Sequence, residues 1–339
     1  MASDITPKPA MSSRSALVDF FSRGLTAFQS SKDAFRVVCT LSRRGGGGHD
    51  DDDAAATATA MPVPRPPREG RPPRRVRSLV VLDSSFNPPT LAHLRMAVSA
   101  VRDLRRSGEG GGDDEGGSRG ASAVRLLLLL AVNNADKKPQ PAVFPVRLGM
   151  MHAFARDLLD ELPAPSLLEV EIDLGLTTMP YFHDKSQAIS DAGFYAVDGE
   201  GPEQVYLAGY DTLVRIFNPK YYNADADAGA DGGTAPIRRA LDPFLERSRL
   251  RITMRADDEW GDEAEQAAYL GRLRDGGLEE AGGRGAWADR VEMLRGVGEA
   301  VSSTRVRRAA RERDEEALGR LVGRRVQDWV LGEGLYREE

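Results

Sequence analysis

The stretch of chain best suited to chemistry covers residues 83–93 and reads Asp-Ser-Ser-Phe-Asn-Pro-Pro-Thr-Leu-Ala-His. Its small residues let the backbone come close to a ligand, and Thr90 stands where the N-cap of a following helix is expected. The N-terminus of a helix attracts anions through its free N–H groups and its dipole. His93 lies three residues into that predicted helix, so its ring can face the same anion. A lone helical histidine is more often structural, but this one follows an expected strand end, and we therefore assign it to a site.

A second candidate stretch, residues 301–307, reads Val-Ser-Ser-Thr-Arg-Val-Arg and precedes a run rich in Ala and Arg. The hydroxyls of Ser303 and Thr304, the free amides of a helix start and the charge of Arg307 meet here, as a polyphosphate requires. The alternative is an ordinary capped helix with a solvated face of arginines, because the chain is rich in Arg throughout. By itself, this stretch predicts only a helix N-terminus.

Two shorter features follow other predicted strands. Lys137 and Lys138 come after the second strand, and a lysine pair is informative in a chain that has only six lysines. Gly209 and Asp211 come after a short apolar run, where a glycine admits a ligand close to the backbone. We weigh two interpretations of Asp211 equally, a ligand-binding carboxylate and the N-cap of the next helix.

Strand and helix patterns alternate along the chain from residue 78 onward. Short apolar runs predict strands, and apolar residues at helical spacing predict helices. The predicted strands are 78–82, 124–132, 167–172, 204–208, 249–254 and 290–294, and the predicted helices are 91–105, 146–162, 185–192, 211–217 and 303–331. This alternation indicates an α/β fold, a Rossmann-like, doubly wound parallel sheet with helices on both faces. In such a sheet the candidate residues lie near one edge, at the carboxyl ends of the strands.

Composition divides the 339 residues into one domain and an extension. Residues 76–335 are predicted to form the domain, and residues 1–75 an N-terminal extension with a helix at 16–35 and a disordered linker at 44–75. Segments 107–122, 223–235 and 275–285 are rich in Gly, Pro, Asp and Arg, so we expect flexible inserts there. The N-terminal helix is expected to dock on the domain. A transit peptide, and with it a mitochondrial location, is the weaker alternative because the segment carries three acids.

Charge and cysteine content argue against several classes of protein. The net charge of −6 does not provide the positive field that non-specific nucleic-acid binding needs. No apolar run approaches the roughly 18 residues of a membrane span, and the single cysteine, Cys39, cannot form a disulfide within the chain. We therefore expect a protein of the cytoplasm or the nucleus with no nucleic-acid and no membrane partner. The oligomeric state stays open, and a homo-oligomer is allowed.

Together, the two long stretches resemble the signature pair of the nucleotidyltransferase superfamily, a G-x-F-x-P-[TH]-x-x-H loop and an I-S-S-T-x-x-R helix start. The first stretch is most similar to the loop of the nicotinamide mononucleotide adenylyltransferase family, in particular a divergent fungal branch, which reads G-S-F-N-P-x-T-x-x-H-L-R. The matching positions are Ser85, Phe86, Asn87, Pro88, Thr90, His93, Leu94 and Arg95. The G-x-D of that family is matched by Gly209 and Asp211. The resemblance extends over residues 78–330.

The resemblance implies transfer of an adenylyl group from ATP to a mononucleotide, with release of pyrophosphate and with Mg²⁺ accompanying the triphosphate. The implied acceptor is nicotinamide mononucleotide or nicotinic acid mononucleotide. Its expected catalytic residues are His93, Arg307 and Lys138. The expected nucleotide contacts are Ser84, Ser85, Phe86, Thr90, His93, Lys137, Gly209, Asp211, Ser303, Thr304 and Arg307. No metal ligands from the protein itself are expected.

Two departures from the family pattern leave alternatives open. The first glycine of the family's loop is Ser84 here, and residues 173–182 lack the Trp that often stacks on the pyridine ring. Tyr181 and Phe182 offer a replacement stacking face, and with Ser85 and Phe86 they are the expected acceptor contacts. The alternatives are a related transferase with another phosphate acceptor, and a non-catalytic protein that binds nucleotide.

Overall fold

A computed structural model describes residues 13–43, 75–109, 123–132, 142–162, 170–222, 235–255, 260–296 and 301–337 of the protein. Lys137 and Lys138 lie outside these residues, as do most of the predicted linker at 44–75 and most of the predicted inserts at 107–122 and 223–235. Among the described helices, none is long and apolar enough to cross a membrane.

One seven-stranded sheet forms the centre of the fold. Its strands are β1 (Phe35–Leu41), β2 (Val76–Asp83), β3 (Ala123–Ala131), β4 (Glu171–Thr177), β5 (Glu203–Gly209), β6 (Ser248–Thr253) and β7 (Val291–Leu294). They are ordered β1-β4-β3-β2-β5-β6-β7, and every neighbouring pair is parallel except β1 and β4. From β2 the chain proceeds to β3 and β4 on one side, and it then crosses to β5 on the other side of β2. A topological switch point therefore lies between β2 and β5. The predicted α/β fold is confirmed, with β1 as an antiparallel addition at one edge.

The central strands are buried on both faces because their sequences are continuous apolar runs. Leu79, Val80 and Val81 in β2 and residues 126–129 in β3 have no exposed surface. Runs of this kind are typical of parallel sheets that helices cover on both sides. A rigid centre of this kind holds the carboxyl ends of β2 and β5 in place.

Helices cover both faces of the sheet. They are α1 (Ser13–Gln29), α2 (Leu91–Glu109), α3 (Phe144–Glu161), α4 (Phe182–Asp191), α5 (Tyr210–Ile216), α6 (Pro236–Arg247), α7 (Glu263–Arg272), α8 (Leu278–Glu280), α9 (Ser303–Glu312), α10 (Glu315–Leu321) and α11 (Arg324–Gly332). One hydrophobic core holds residues of α1, α2, α3 and α9 to α11, and we call this side the α9 face. The other core holds residues of α4, α5, α6 and α8, and we call this side the α4 face.

The N-terminal segment differs from the helix predicted at 16–35. Helix α1 ends at Gln29, and Phe35 is the first residue of β1. Phe21 and Phe28 of α1 are buried, and the helix packs on α3. β1 pairs with β4, with Phe35 aligned to Thr177. The expected docking of the N-terminal helix on the domain is therefore confirmed, and residues of α1 and β1 belong to its core and sheet.

Strand β4 lies further along the chain than the prediction at 167–172. Asp173 lies inside β4, and its side chain has no exposed surface. Arg125 Nε and Nη2 donate to the two oxygens of Asp173 at 2.5 and 2.8 Å, and the Tyr195 hydroxyl donates to it at 3.0 Å. A buried carboxylate is tolerated when it is bonded in this way. Arg125 is distant in sequence from Asp173, so the local pattern did not reveal the strand.

The segment at 275–285, predicted to be a flexible insert, contains the short helix α8. Gly276, with a φ of +115°, turns the chain between α7 and α8. Leu278 then inserts into the core of the α4 face and has no exposed surface. A composition averaged over several residues hides a single apolar anchor of this kind. Helices α6 and α7 were also missed.

Candidate active site

A cleft of about 980 Å³ opens at the switch point between β2 and β5. Loops after β2, β5, β6 and β7 form its walls, together with the starts of α4 and α9. The residues that line it include Asp83, Ser84, Ser85, Thr90, His93, Tyr181, Phe182, His183, Gly209, Asp211, Tyr222, Arg255, Ser302, Ser303, Thr304 and Arg305. Both signature stretches and the turn after β5 thus face one space, whose volume is at the upper end of ordinary ligand pockets.

The loop after β2 enters the cleft with its serines and anchors itself with its phenylalanine. Ser84 and Ser85 line the cleft. Phe86 has a φ of +44°, and its ring is fully buried, 6.3 Å between centroids from the ring of Phe154. The side chain of Phe86 therefore belongs to the core, which leaves its backbone as the part that can meet a ligand.

Asn87 connects this loop to the rest of the α9 face. Its Oδ1 accepts a hydrogen bond from the backbone N–H of Ala142 at 2.9 Å and another from the Tyr336 hydroxyl at 2.8 Å. Its backbone carbonyl accepts from Arg307 Nη1 at 2.9 Å, while Arg307 Nη2 donates to Thr304 Oγ1 at 3.3 Å. Arg307 therefore bonds the first signature stretch to the second.

The start of α9 supplies the anion-binding end of a helix. Ser302 is the N-cap, and its hydroxyl accepts from the backbone N–H of Arg305 at 3.3 Å. Ser303 Oγ donates to the carbonyl of Pro88 at 2.9 Å, which adds a second bond between the two stretches. Thr304 and Arg305 are exposed and line the cleft. The helix is capped, as the alternative of an ordinary capped helix predicts. Its first residues also line the cleft.

His93 is held at both ring nitrogens. Nδ1 lies 3.0 Å from the backbone nitrogen of Thr90 and 2.9 Å from its hydroxyl oxygen, and Nε2 lies 3.1 Å from Ser84 Oγ. A backbone N–H always donates, so Nδ1 must accept, and the proton of the neutral ring lies on Nε2. Burial lowers the pKa of His93 to about 4. At pH 7 the ring is therefore a neutral donor on the wall of the cleft.

The turn after β5 places a carboxylate on the opposite wall. Gly209 is the N-cap of α5, and Asp211 lies in the first turn of that helix. The interpretation of Asp211 as the N-cap is therefore wrong. A Cβ at Gly209 would lie 2.9 Å from Asp211 Oδ1, so a side chain there would displace the carboxylate. Arg255, which follows β6, lies 3.6 Å from the same oxygen.

Aromatic side chains form the wall on the α4 face. Tyr181 is 40% exposed, and its ring is stacked on that of His183 with 5.6 Å between centroids and 6° between planes. The ring of Tyr222 is tilted against that of His183, with 5.6 Å between their centroids. Phe182 packs edge-on against Tyr206 in the core. Of the two predicted stacking residues, Tyr181 is the one that offers an open ring face.

Positive charge is concentrated along the cleft although the chain is negative overall. The charged groups on its described walls include two carboxylates, Asp83 and Asp211. The arginines there are Arg95, Arg215, Arg251, Arg255, Arg295 and Arg305. A cleft with an excess of one sign of charge attracts ligands of the opposite sign. The arrangement favours a polyanion.

Sequence reasoning missed three charged residues at the site. Asp83 ends β2 and is bonded by Lys185, which lies on α4. Arg255 lies opposite Asp211. The scarcity of lysine, which drew attention to Lys137 and Lys138, was also a signal for Lys185, but its partner is far away in the sequence. Among the described residues, no group of three or more His, Cys, Asp or Glu side chains could hold a metal ion.

Fold and cleft together define a Rossmann-type α/β protein with a cleft at its switch point, the place where such folds bind their ligands. No protein-family model matches the chain. A Schizosaccharomyces pombe protein named "Putative nicotinamide mononucleotide adenylyltransferase" is 32% identical over 254 residues, which cover 74% of this chain and 82% of that protein. The chain belongs to the nicotinamide mononucleotide adenylyltransferase family.

The similar chains among solved structures include two of the Plasmodium falciparum nicotinic acid mononucleotide adenylyltransferase. The complex with NaAD is 12% identical, with a TM-score of 0.43, over 78% of this chain and 98% of that chain. The complex with APC is 10% identical, with a TM-score of 0.40 and the same coverage.

Proposed function

We propose that this protein transfers the adenylyl group of ATP to nicotinamide mononucleotide or nicotinic acid mononucleotide, giving NAD or its deamido form and pyrophosphate. One observation carries the proposal. The loop after β2 and the start of α9 are bonded to each other, and they present His93, Ser303 and Thr304 to one cleft. A neutral N–H donor beside a helix N-terminus suits a polyphosphate that gains charge as it reacts. Membership of the family supports the same activity.

In the proposed reaction, a phosphate oxygen of the acceptor forms a bond to the α-phosphorus of ATP. The bond from that phosphorus to the bridging oxygen breaks, and pyrophosphate leaves with the electron pair. Such a transfer needs orientation and charge neutralisation more than a covalent intermediate. We assign Nε2–H of His93 to an oxygen of the α-phosphate. The pKa of about 4 makes the ring a hydrogen-bond donor at pH 7 and not a cation.

The β- and γ-phosphates are proposed to bind at the start of α9. Free backbone N–H groups of its first turn, the Thr304 hydroxyl and the Arg305 guanidinium lie at this wall of the cleft. Arg307 keeps its assigned phosphate role in this proposal, and it also holds the loop through the carbonyl of Asn87. Loss of Arg307 would then remove the contact with the phosphates and would also weaken the hold on the loop after β2. Lys137 and Lys138 stay predicted contacts from the other side.

The two nucleoside parts are proposed to occupy opposite walls. Gly209 and Asp211 line the wall beside α5, where we place the adenosine, with Asp211 as a hydrogen-bond acceptor for its ribose. On the α4 face, the exposed ring of Tyr181 is the stacking partner proposed for the pyridine of the acceptor. Its stacking on His183 holds the ring in a fixed orientation.

Mg²⁺ is proposed to arrive with the triphosphate. The described cleft offers Asp83 and Asp211, and each is already ion-paired, the first with Lys185 and the second with Arg255. Mg²⁺ is commonly held by substrate phosphates with one or two carboxylates rather than by a protein cage. Because both carboxylates are already paired, the described residues fit an ion that the substrate phosphates hold. When bound, the ion neutralises charge on the phosphates.

The test is an incubation of the purified protein with ATP, Mg²⁺ and one acceptor at a time. The acceptors are nicotinamide mononucleotide, nicotinic acid mononucleotide and phosphopantetheine. Dinucleotide and pyrophosphate are expected in equal amounts with a pyridine mononucleotide and not with phosphopantetheine. Pyrophosphate release that depends on phosphopantetheine would identify a different transferase.

A second candidate, nucleotide binding without turnover, has one observation in its favour. Ser84 stands at the position of the family's glycine, and its hydroxyl lies 3.1 Å from His93 Nε2, where it competes with a phosphate for that donor. A wild-type protein that binds ATP by calorimetry but turns over no acceptor would support this candidate. Ser84→Gly would then be expected to raise the rate, because it frees the donor and opens the loop. The cytoplasmic or nuclear location and a homo-oligomer stay proposals.

A further inference from the structure

A buried ion pair stands at the switch point, between the two walls of the cleft. The side chain of Asp83, the last residue of β2, is 9% exposed, and that of Lys185 on α4 is 5% exposed. Lys185 Nζ donates to Asp83 Oδ2 and lies 5.3 Å from the centre of the Phe182 ring. Among the described residues, Lys185 is the side chain that bonds Asp83. Asp83 itself lines the cleft.

The stability of the fold does not explain why an ion pair is buried at this place. Two charges lose their hydration when they are buried, and a pair of apolar side chains of similar size often joins two elements equally well or better. Leu82, the residue before Asp83, is 1% exposed and makes such apolar contacts. A charge pair that breaks the apolar pattern of a central strand, at the edge where ligands bind, indicates a binding role.

The position of Asp83 matches the middle of a mononucleotide. On one side, Ser84 and His93 belong to the proposed reacting centre, where the acceptor's phosphate must lie. On the other side, Tyr181 and Phe182 belong to the wall proposed for its base. The part of a mononucleotide between its phosphate and its base is the ribose. A vicinal diol presents two O–H donors, and carboxylates at the edges of such sheets accept them.

We propose that Asp83 binds the ribose hydroxyls of the acceptor and that Lys185 is the positioning residue that holds the Asp83 carboxylate. This assignment rests on the proposed function. Asp83 then selects acceptors that carry a ribose diol over other phosphate esters. The preference for a mononucleotide over an acceptor such as phosphopantetheine follows from it.

The test compares Asp83→Asn, Lys185→Met and the double variant with the wild type. In Asp83→Asn, the acceptor KM is expected to rise by about 10- to 100-fold, as for loss of hydrogen bonds to a charged group. The KM for ATP and kcat should stay within about twofold. Asp191→Asn is the matched control, because Asp191 is exposed at the end of α4 and bonds Gln187. It should leave all three constants unchanged.

The double variant separates binding from structure. Lys185→Met alone leaves a buried carboxylate without its partner, so its melting temperature should fall and its acceptor KM should rise. The double variant, Asp83→Asn with Lys185→Met, removes both charges, so its melting temperature should return towards that of the wild type. Its acceptor KM should remain as high as that of Asp83→Asn. A return of the acceptor KM to the wild-type value would show that the pair is structural only and would overturn the assignment.

Two further outcomes would also overturn the assignment of Asp83 to the acceptor ribose. If Asp83→Asn raised the KM for ATP with Mg²⁺ and left the acceptor KM unchanged, Asp83 would serve the triphosphate. If it weakened nicotinamide mononucleotide but not nicotinic acid mononucleotide, Asp83 would contact the carboxamide and not the ribose, because both acceptors carry the same diol. Calorimetric titration of wild type and Asp83→Asn with each mononucleotide gives the same comparison without turnover. A failure of catalysis is therefore distinguishable from a failure of this inference.

Discussion

The α9 face and the α4 face form the two walls of one cleft by different means. On the α9 face, side chains bond backbone carbonyls, with Ser303 on Pro88 and Arg307 on Asn87. On the α4 face, side chains meet other side chains, as in the stack of Tyr181 on His183. A wall built on main-chain atoms requires particular residues at particular spacings and therefore leaves a recognisable motif. A wall built from contacts between side chains tolerates substitution. On this face the chain lacks the Trp of the family's pattern in residues 173–182.

The largest effect is expected from His93, at the reacting centre of the α9 face. His93→Ala should lower kcat by roughly two to three orders of magnitude, as for loss of one donor to a developing negative charge. ATP affinity, measured by calorimetry, should change by less than about tenfold, because the contact strengthens mainly in the transition state. Full activity of His93→Ala would show that the loop after β2 is not the catalytic element.

Arg307 tests whether the bond between the two stretches matters to ATP use. Arg307→Ala should lower kcat/KM for ATP by about 10- to 100-fold, since a hydrogen bond to a charged group is worth roughly 1.5 to 3 kcal/mol. Arg311→Ala is the control, because Arg311 is exposed near the end of α9, one turn further from the phosphate end. Equal and small effects of both substitutions would reduce the segment to an ordinary capped helix.

Acid should weaken the α9 face through its two histidines. Burial lowers the pKa of His93 and of His152 to about 4, and His152 lies against Phe21 of α1. The unfolded chain binds a proton at each histidine below about pH 6.5, whereas the folded protein does so only near pH 4. Unfolding therefore takes up protons, and the free energy of unfolding should fall between pH 6.5 and 4, by about 1 to 2 kcal/mol per histidine at pH 5.

Denaturant unfolding at pH 7 and pH 5 measures this loss, and His152→Gln should remove part of it. The substitution leaves His93 and the cleft intact, so activity at pH 7 should persist. An unfolding free energy that does not change between these pH values would contradict the neutral, buried state of both rings.

Tyr181 should show the smallest effect, because stacking contributes less than a charged hydrogen bond. Tyr181→Ala should raise the acceptor KM by about 2- to 10-fold, in line with the roughly 0.5 to 1.5 kcal/mol of an aromatic pair. Phe194→Ala is the control, since Phe194 is a similarly exposed aromatic residue that packs on Tyr195 away from the cleft. An acceptor KM that is unchanged in Tyr181→Ala would place the pyridine elsewhere on the α4 face.

Local patterns were sufficient to predict the central strands and the loop after β2. Continuous apolar runs identified β2, β3 and β5 to within a few residues, because a strand that is buried on both faces consists mostly of apolar residues. The same patterns missed β1 and displaced β4. Asp173 is stable inside β4 only because Arg125 and Tyr195 bond it. A strand that depends on a distant ionic partner cannot be recognised from its own residues.

By itself, the sequence determined the α/β alternation, the two motif stretches and the helix start at Ser303, since these follow from residue type and short spacing. Only the tertiary structure decided that Phe86 points into the core and that Arg307 bonds the loop after β2. It also decided that Lys185 meets Asp83 at the switch point. The reason is physical. Propensity and periodicity act over a few residues, whereas the charge, burial and partner of a side chain depend on which distant strands and helices fold against it.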